Sequence, residues 1–87
     1  MLTVYKYPFR IEDRFVLHLP PGFQILKVEC QAGVPCMWVL VNSGCPAESV
    51  PFRIYGTGHD IKIGEIGDHV ATFQQGEFVW HLFRSRA

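Results

Sequence analysis

The chain has 87 residues, of which 48% are hydrophobic and 14% aromatic, and its eight basic residues balance eight acidic ones. A chain this short forms one thin-cored domain, because it hides only about 60–65% of the surface that its unfolded form exposes. Its apolar content excludes intrinsic disorder, and its zero formal charge provides no field that would steer it toward nucleic acid or an anionic membrane. We see neither an apolar run long enough to span a membrane nor a signal peptide, and we therefore expect a cytoplasmic protein.

The first half of the chain alternates apolar and polar residues with a period of two. The predicted strands there are LTVYKY, RFVLHL, QILKVEC and CMWVLV, at residues 2–7, 14–19, 24–30 and 36–41. Pro8 is expected to end the first strand, and QAGVP is expected to form a hairpin turn before the fourth. In the third strand we expect Leu26, Val28 and Cys30 to share one face.

The second half continues the same alternation. The predicted strands there are VPFRIYG at 50–56, a short strand within HDIKIGEIG at 59–67, HVATF at 69–73 and FVWHLF at 78–83. Phe52 and Ile54 are expected to point to one side of their strand, as are Phe78, Trp80 and Leu82 in the last. The QQGE segment before the last strand predicts a turn.

Seven or eight short strands with turn residues between them predict an all-β fold over residues 1–87, as a single β domain. We expect a small antiparallel β-sandwich or a partly open barrel with little or no helix. The strands at 36–41 and 78–83 are apolar on both faces, so either two sheets pack together or a subunit interface covers the second face. This pattern predicts a homo-oligomer, formed most economically by pairing the N-terminal or C-terminal strand across a two-fold axis.

The three cysteines Cys30, Cys36 and Cys45 fit neither a paired disulfide framework nor a CxxC metal clamp. Cys30 and Cys36 lie in predicted strands and are interpreted as small buried hydrophobes, whereas Cys45 lies in the polar loop NSGCPAE. The simplest interpretation is that all three remain reduced thiols in a reducing compartment.

Residues 55–61 read YGTGHDI, which raises the question of a phosphate-binding loop. The stretch lacks the lysine of a Walker loop and the third glycine of a dinucleotide-binding loop, and no helix pattern follows it. We therefore interpret it as a turn whose glycines permit a tight connection. Because loops held by rigid strands usually carry function, a ligand-binding surface is predicted here, formed by Tyr55, Thr57, His59 and Asp60.

His59 is also considered as a catalytic or metal-binding residue. Adjacent residues on an extended chain point to opposite sides, so His59 and Asp60 are not expected to form a catalytic pair, and no GxSxG nucleophile motif is present. The four histidines lie in four segments without an HxH pair, and no metal ligand or cofactor is assigned. A non-enzymatic role is favoured, with a metalloprotein or enzyme based on His59 as an alternative.

The aromatic residues leave one further alternative. Trp38 and Trp80 lie mid-strand among apolar neighbours, which favours the core over a nucleic-acid platform, because such platforms accompany a basic groove. A small-ligand-binding barrel would instead line a pocket with Trp38, Phe52 and Trp80.

Four motifs resemble those of a family of short, uncharacterised bacterial and phage proteins: YKYP at 5–8, C-x-W-x-L-V at 36–41, R-x-Y-G-T-G-H at 53–59 and V-W-H-L-F at 79–83. The resemblance implies a gene carried on phage or other mobile DNA, and it implies no activity, substrate or site residue. Our hypothesis is a binding or assembly module. Its partner would be a second copy of itself, or else a host or phage protein.

Overall fold

A computed structural model describes residues 1–86 as two open antiparallel sheets packed face to face. The strands are β1 (Leu2–Pro8), β2 (Arg14–Leu19), β3 (Gln24–Gln31), β4 (Val34–Asn42), β5 (Glu48–Gly56), β6 (Ile66–Gln75) and β7 (Phe78–Ser85). The three-stranded sheet has the order β1-β4-β3, and the four-stranded sheet has the order β2-β5-β7-β6. The predicted all-β sandwich is thus confirmed. Within the described residues, no helix is long and apolar enough to cross a membrane.

The core lies between the two sheets and follows the predicted alternation. The inward residues of β4 are almost fully buried, and those of β2, β5 and β7 face them from the other sheet. Phe52 and Ile54 point inward from β5, and Leu82 does so from β7, as predicted. The buried cluster comprises Phe9, Phe15, Leu19, Met37, Val39, Val41, Val50, Phe52, Ile54, Phe73 and Leu82.

The predicted strand within HDIKIGEIG is wrong. Residues 59–62 form no strand, a single 3₁₀ turn follows at Ile63–Glu65, and β6 begins only at Ile66. Ile61 and Ile63 are exposed, so the alternation in this stretch has no buried face to serve. Alternation indicates a strand only where a partner strand and a core exist to accept it.

The predicted face of β3 is wrong at one residue, Leu26. The register between β3 and β4 shifts between Ile25 and Lys27, where a bulge inserts one extra residue. Ile25 and Val28 take the inward positions opposite Val39 and Met37, and Leu26 is left exposed. A bulge breaks the period of two, so counting alternate residues across it assigns the wrong side.

The predicted turns before β4 and β7 are both two-residue hairpins. Ala32 and Gly33 have φ angles of 51° and 80°, the positive pair that a type I′ turn requires. The β6–β7 turn is Gly76–Glu77, with a φ of 58° at Gly76. A hydrogen bond connects the two hairpins, in which the Gln75 side-chain amide donates to the Gly33 carbonyl at 3.3 Å.

Ala32 is the one non-glycine residue among 1–86 with a positive φ, so Ala32→Asn is expected to stabilise the fold. Asn-Gly is the preferred type I′ pair, and relief of the left-handed strain is worth about 0.5–1 kcal/mol of unfolding free energy. The melting temperature should rise by about 2–8 °C. Ala32→Val should lower it, since a β-branched residue tolerates positive φ poorly. Equal melting temperatures for the two variants would contradict the turn assignment.

The two strands that are apolar on both faces are partly covered by their own chain. On the outer face of β4, the Lys27 ammonium lies 5.9 Å from the centre of the Trp38 ring. On the outer face of β7, Phe83 meets the rings of Tyr55 and His69 edge-on, at centroid distances of 6.0 and 5.2 Å. β7 also lies between β5 and β6, so the C-terminal strand is not a free edge. Of the two terminal strands considered for self-pairing, only β1 remains at an edge.

Candidate functional site

The GTGH segment forms a tight turn at the end of β5. β5 pairs with β7 as far as Gly56, which stands opposite Trp80. The His59 backbone N–H then donates to the Gly56 carbonyl at 3.2 Å, and Gly58 has a φ of 87°. The structure therefore agrees with the interpretation of this stretch as a turn.

The His59 ring folds back over Gly56. Its Nδ1 accepts a hydrogen bond from the Gly56 backbone N–H at 3.2 Å. A Cβ atom at position 56 would lie only 2.9 Å from Cε1 of that ring, so a larger residue here would push the His59 ring away from Gly56. With Nδ1 as acceptor, the neutral ring carries its proton on Nε2, which leaves an N–H donor on this exposed residue.

Thr57 ties the same turn to the outer face of the four-stranded sheet. Its hydroxyl lies 2.8 Å from His81 Nε2 and 3.5 Å from the Val79 carbonyl. His81 Nδ1 lies 3.1 Å from the Thr72 hydroxyl, which in turn lies 3.1 Å from His69 Nε2.

In the Thr–His chain, formed by His69, Thr72, His81 and Thr57, the bond from the Thr57 hydroxyl to the Val79 carbonyl selects one proton order for neutral rings. His69 donates to Thr72, Thr72 donates to His81 Nδ1, His81 Nε2 donates to Thr57, and Thr57 donates to the Val79 carbonyl. Every hydroxyl and ring nitrogen in the chain except His69 Nδ1 then has a partner. The turn is thus held through Gly56 by His59 and through Thr57 by His81.

An open cleft of about 530 Å³ lies between this turn and the β6–β7 hairpin. Its walls are Gly56, Thr57 and His59 on one side and residues 77–80 on the other. The rings of Phe78 and Trp80 lie 5.9 Å apart with an interplanar angle of 32°. Glu77 is the one charged side chain in the lining. The cleft therefore combines two aromatic rings, one carboxylate and the His59 N–H donor.

The structure brings two of the four predicted ligand-binding residues into this cleft, namely Thr57 and His59. Tyr55 instead points to the outer face, where its hydroxyl is buried without a hydrogen-bond partner in the described part of the chain. Asp60 is exposed and does not line the cleft. Sequence reasoning missed Glu77 and Phe78 because they reach the site from a different hairpin.

The pocket predicted for a small-ligand-binding barrel is wrong, because its three residues do not meet. Phe52 is fully buried between the sheets, and Trp38 lies on the outer face of the three-stranded sheet. Of the three residues, Trp80 lines the cleft described above. Residues 1–86 contain no group of three or more His, Cys, Asp and Glu side chains arranged to hold a metal ion.

The cysteines are three free thiols, of which Cys36 is buried while Cys30 and Cys45 are half-buried. Burial, the neighbouring Cys36 thiol and the Glu29 carboxylate raise the pKa of Cys30. A raised pKa keeps this sulfur in its protonated, poorly nucleophilic form. Neither Cys30 nor Cys36 lines the cleft.

Comparison with curated proteins and with solved structures gave no match. A family described as a domain of unknown function, DUF7352, matches residues 1–87. The match covers every strand of the sandwich as well as both walls of the cleft. The chain therefore belongs to the DUF7352 family of uncharacterised domains.

Proposed function

We propose that the protein is an assembly module in which two copies pair through β1, antiparallel across a two-fold axis. The observation that carries the proposal is the edge position of β1, which within residues 1–86 pairs through its backbone with no strand other than β4 and exposes apolar side chains. An edge strand of this kind is a template for another strand. Pairing would join two three-stranded sheets into one six-stranded sheet.

The hydrogen-bond register shows which backbone groups of β1 are free. The Ser43 N–H donates to the Met1 carbonyl and the Phe9 N–H donates to the Pro35 carbonyl, both at 2.9 Å. The backbone N–H and C=O groups of the odd-numbered residues of β1 therefore point toward β4, since alternate residues of an antiparallel strand direct these groups to the same side. The N–H and C=O groups of Leu2, Val4 and Lys6 point away from the sheet. Pro8 has no N–H and ends this row.

The other three sheet edges carry features that discourage pairing. β3 has the bulge and a Lys27–Glu29 ion pair of 2.8 Å, and the register of β6 shifts at two places. β2 is one residue shorter than β1 and carries Arg14 and His18. β1 pairs with β4 without a shift and has one charged residue, Lys6.

A two-fold axis through Val4 would use every free donor of the β1 edge. Val4 would then face Val4 of the second copy, and Leu2 would face Lys6 of the second copy. Leu2 and Val4 are 68% and 48% exposed, and Val4 lies beside Leu40 on the outer face of the sheet. Pairing would therefore continue this apolar surface across the axis, and it would give the free N–H and C=O groups of β1 hydrogen-bond partners.

The setting of this module is also a proposal. The resemblance of four motifs to those of short bacterial and phage proteins supports an origin on mobile DNA. The three free thiols are compatible with the reducing cytoplasm. An extended strand of a host or phage protein would use the same edge as self-pairing does, and measurement of the purified protein alone separates the two.

Val4→Pro tests the proposal because it removes one N–H from the free edge and none from the bonds to β4. Light scattering should give twice the 10.0 kDa chain mass for the native protein and the single-chain mass for Val4→Pro. Val4→Thr keeps the N–H and should keep the doubled mass. A native protein with the single-chain mass at high concentration would overturn self-pairing, as would a Val4→Pro variant that retains the doubled mass.

A further inference from the structure

We propose that the cleft between the Gly56–His59 turn and the β6–β7 hairpin binds a weakly hydrated organic cation, such as an alkylated ammonium group. The proposal uses no residue of the β1 edge, so it stands or falls independently of the assembly described above. The evidence is the chemistry of the lining, the charge of the cleft and the rigidity of its walls.

The aromatic rings provide the first argument. Phe78 is the first residue of β7 and is 64% exposed. Its ring centre lies 5.9 Å from that of Trp80. The Trp80 indole N–H is buried and has no acceptor within residues 1–86. Two tilted aromatic rings beside an open volume form half of a cage, and the negative faces of such rings attract cations.

The charge of the cleft provides the second argument. Its lining contains the Glu77 carboxylate and none of the lysine or arginine side chains. The Glu29 and Glu65 carboxylates pair with Lys27 and Arg53 at 2.8 and 3.5 Å, whereas Glu77 has no such partner in the described part of the chain. An anionic ligand would be repelled by Glu77, and a cation would neutralise it.

The type of cation follows from the combination of ring and carboxylate. A compact lysine-like ammonium is strongly hydrated and would have to give up water to approach Phe78 and Trp80. An alkylated ammonium spreads its charge over apolar surface, so it loses less hydration and gains ring contact. The Nε2–H of His59, at the opposite wall, can donate to an oxygen carried by the same ligand.

The walls are already in place without a ligand. His59 holds the turn through Gly56, and His81 holds it through Thr57, at the 3.2 and 2.8 Å distances given above. The opposite wall is a two-residue hairpin whose flanking Gln75 bonds to Gly33. A preformed site avoids the entropic cost of ordering loops on binding.

The test uses the fluorescence of Trp80 in a Trp38→Phe background, so that one indole reports on the cleft. We expect saturable changes on titration with choline or tetramethylammonium chloride at constant ionic strength. The neutral carbon isostere of choline should bind at least about tenfold more weakly. Glu77→Gln should raise the dissociation constant by about tenfold, and Phe78→Leu by several-fold, with circular dichroism confirming that each variant is folded.

Three outcomes would overturn the proposal. One is the absence of saturation up to about 100 mM cation, since this corresponds to negligible affinity. Another is equal binding of the neutral isostere, which would indicate an apolar cleft without charge selectivity. The third is unchanged affinity in Glu77→Gln. Because Val4→Pro leaves the cleft intact, cation binding by that variant would separate a failure of this proposal from a failure of assembly.

Discussion

Phe52→Ala is expected to remove about 3–5 kcal/mol from the free energy of unfolding, the largest effect of any single core truncation we predict. Phe52 is fully buried at the centre of the core, and its ring stacks on Phe15 at a centroid distance of 5.3 Å. On β7, Arg84 lies opposite Phe52, and its guanidinium carbon is 5.9 Å from the centre of the same ring. A domain of this length has on the order of 4–13 kcal/mol of stability, so the variant should be partly or wholly unfolded.

Urea denaturation followed by circular dichroism measures this loss, and the chain supplies a matched control. Phe78→Ala deletes the same atoms from a largely exposed ring and should change the unfolding free energy by no more than about 0.5 kcal/mol. Similar losses for Phe52→Ala and Phe78→Ala would mean that the core does not lie between the two sheets as described.

The inward faces of the strands could be predicted from the sequence because they depend on local alternation. In β5, Phe52 and Ile54 are buried and the intervening Arg53 is less so, as the period of two requires. The same holds for β7, where Leu82 is buried and its neighbours are partly exposed. Each of these assignments needs only the residue types within one strand.

The order of the strands could not be predicted, because it depends on contacts between distant segments. The apolar FVWHLF segment suggests an edge strand that a second subunit would cover, yet β7 lies between β5 and β6. Its two-sided apolar character is explained by the core on one face and by Tyr55 and His69 on the other. Side chains of the same chain thus cover part of the outer face of β7, which the sequence suggested a second subunit would cover.

The candidate site was only half predictable for the same reason. Thr57 and His59 lie within a glycine-rich turn, and loops held by rigid strands usually carry function. Glu77 and Phe78 lie about 20 residues further on, and only the pairing of β5 with β7 places them beside that turn. The Thr–His chain likewise depends on the register that sets Thr72 opposite His81.

Tyr5→Pro and Val4→Pro are expected to differ sharply, although the two positions are adjacent. The Tyr5 N–H faces β4, where Tyr5 is opposite the fully buried Val39. Proline at position 5 would leave the Val39 carbonyl without its donor in the core, at a cost of about 2–4 kcal/mol of unfolding free energy. Proline at position 4 removes only a donor that faces away from the sheet, and the fold should lose about 1 kcal/mol or less.

Tyr5→Ala is the control for the lost side chain, which is half exposed and should contribute little by comparison. Amide hydrogen exchange would report the same contrast locally, as faster exchange along β4 in Tyr5→Pro but not in Val4→Pro. Equal destabilisation by both prolines would mean that the hydrogen-bonded side of β1 has been assigned incorrectly. In that event the free donors would belong to Thr3, Tyr5 and Tyr7, and a two-fold axis could no longer pass through Val4. The register of one seven-residue strand therefore decides both the stability of the three-stranded sheet and the geometry by which two copies would join.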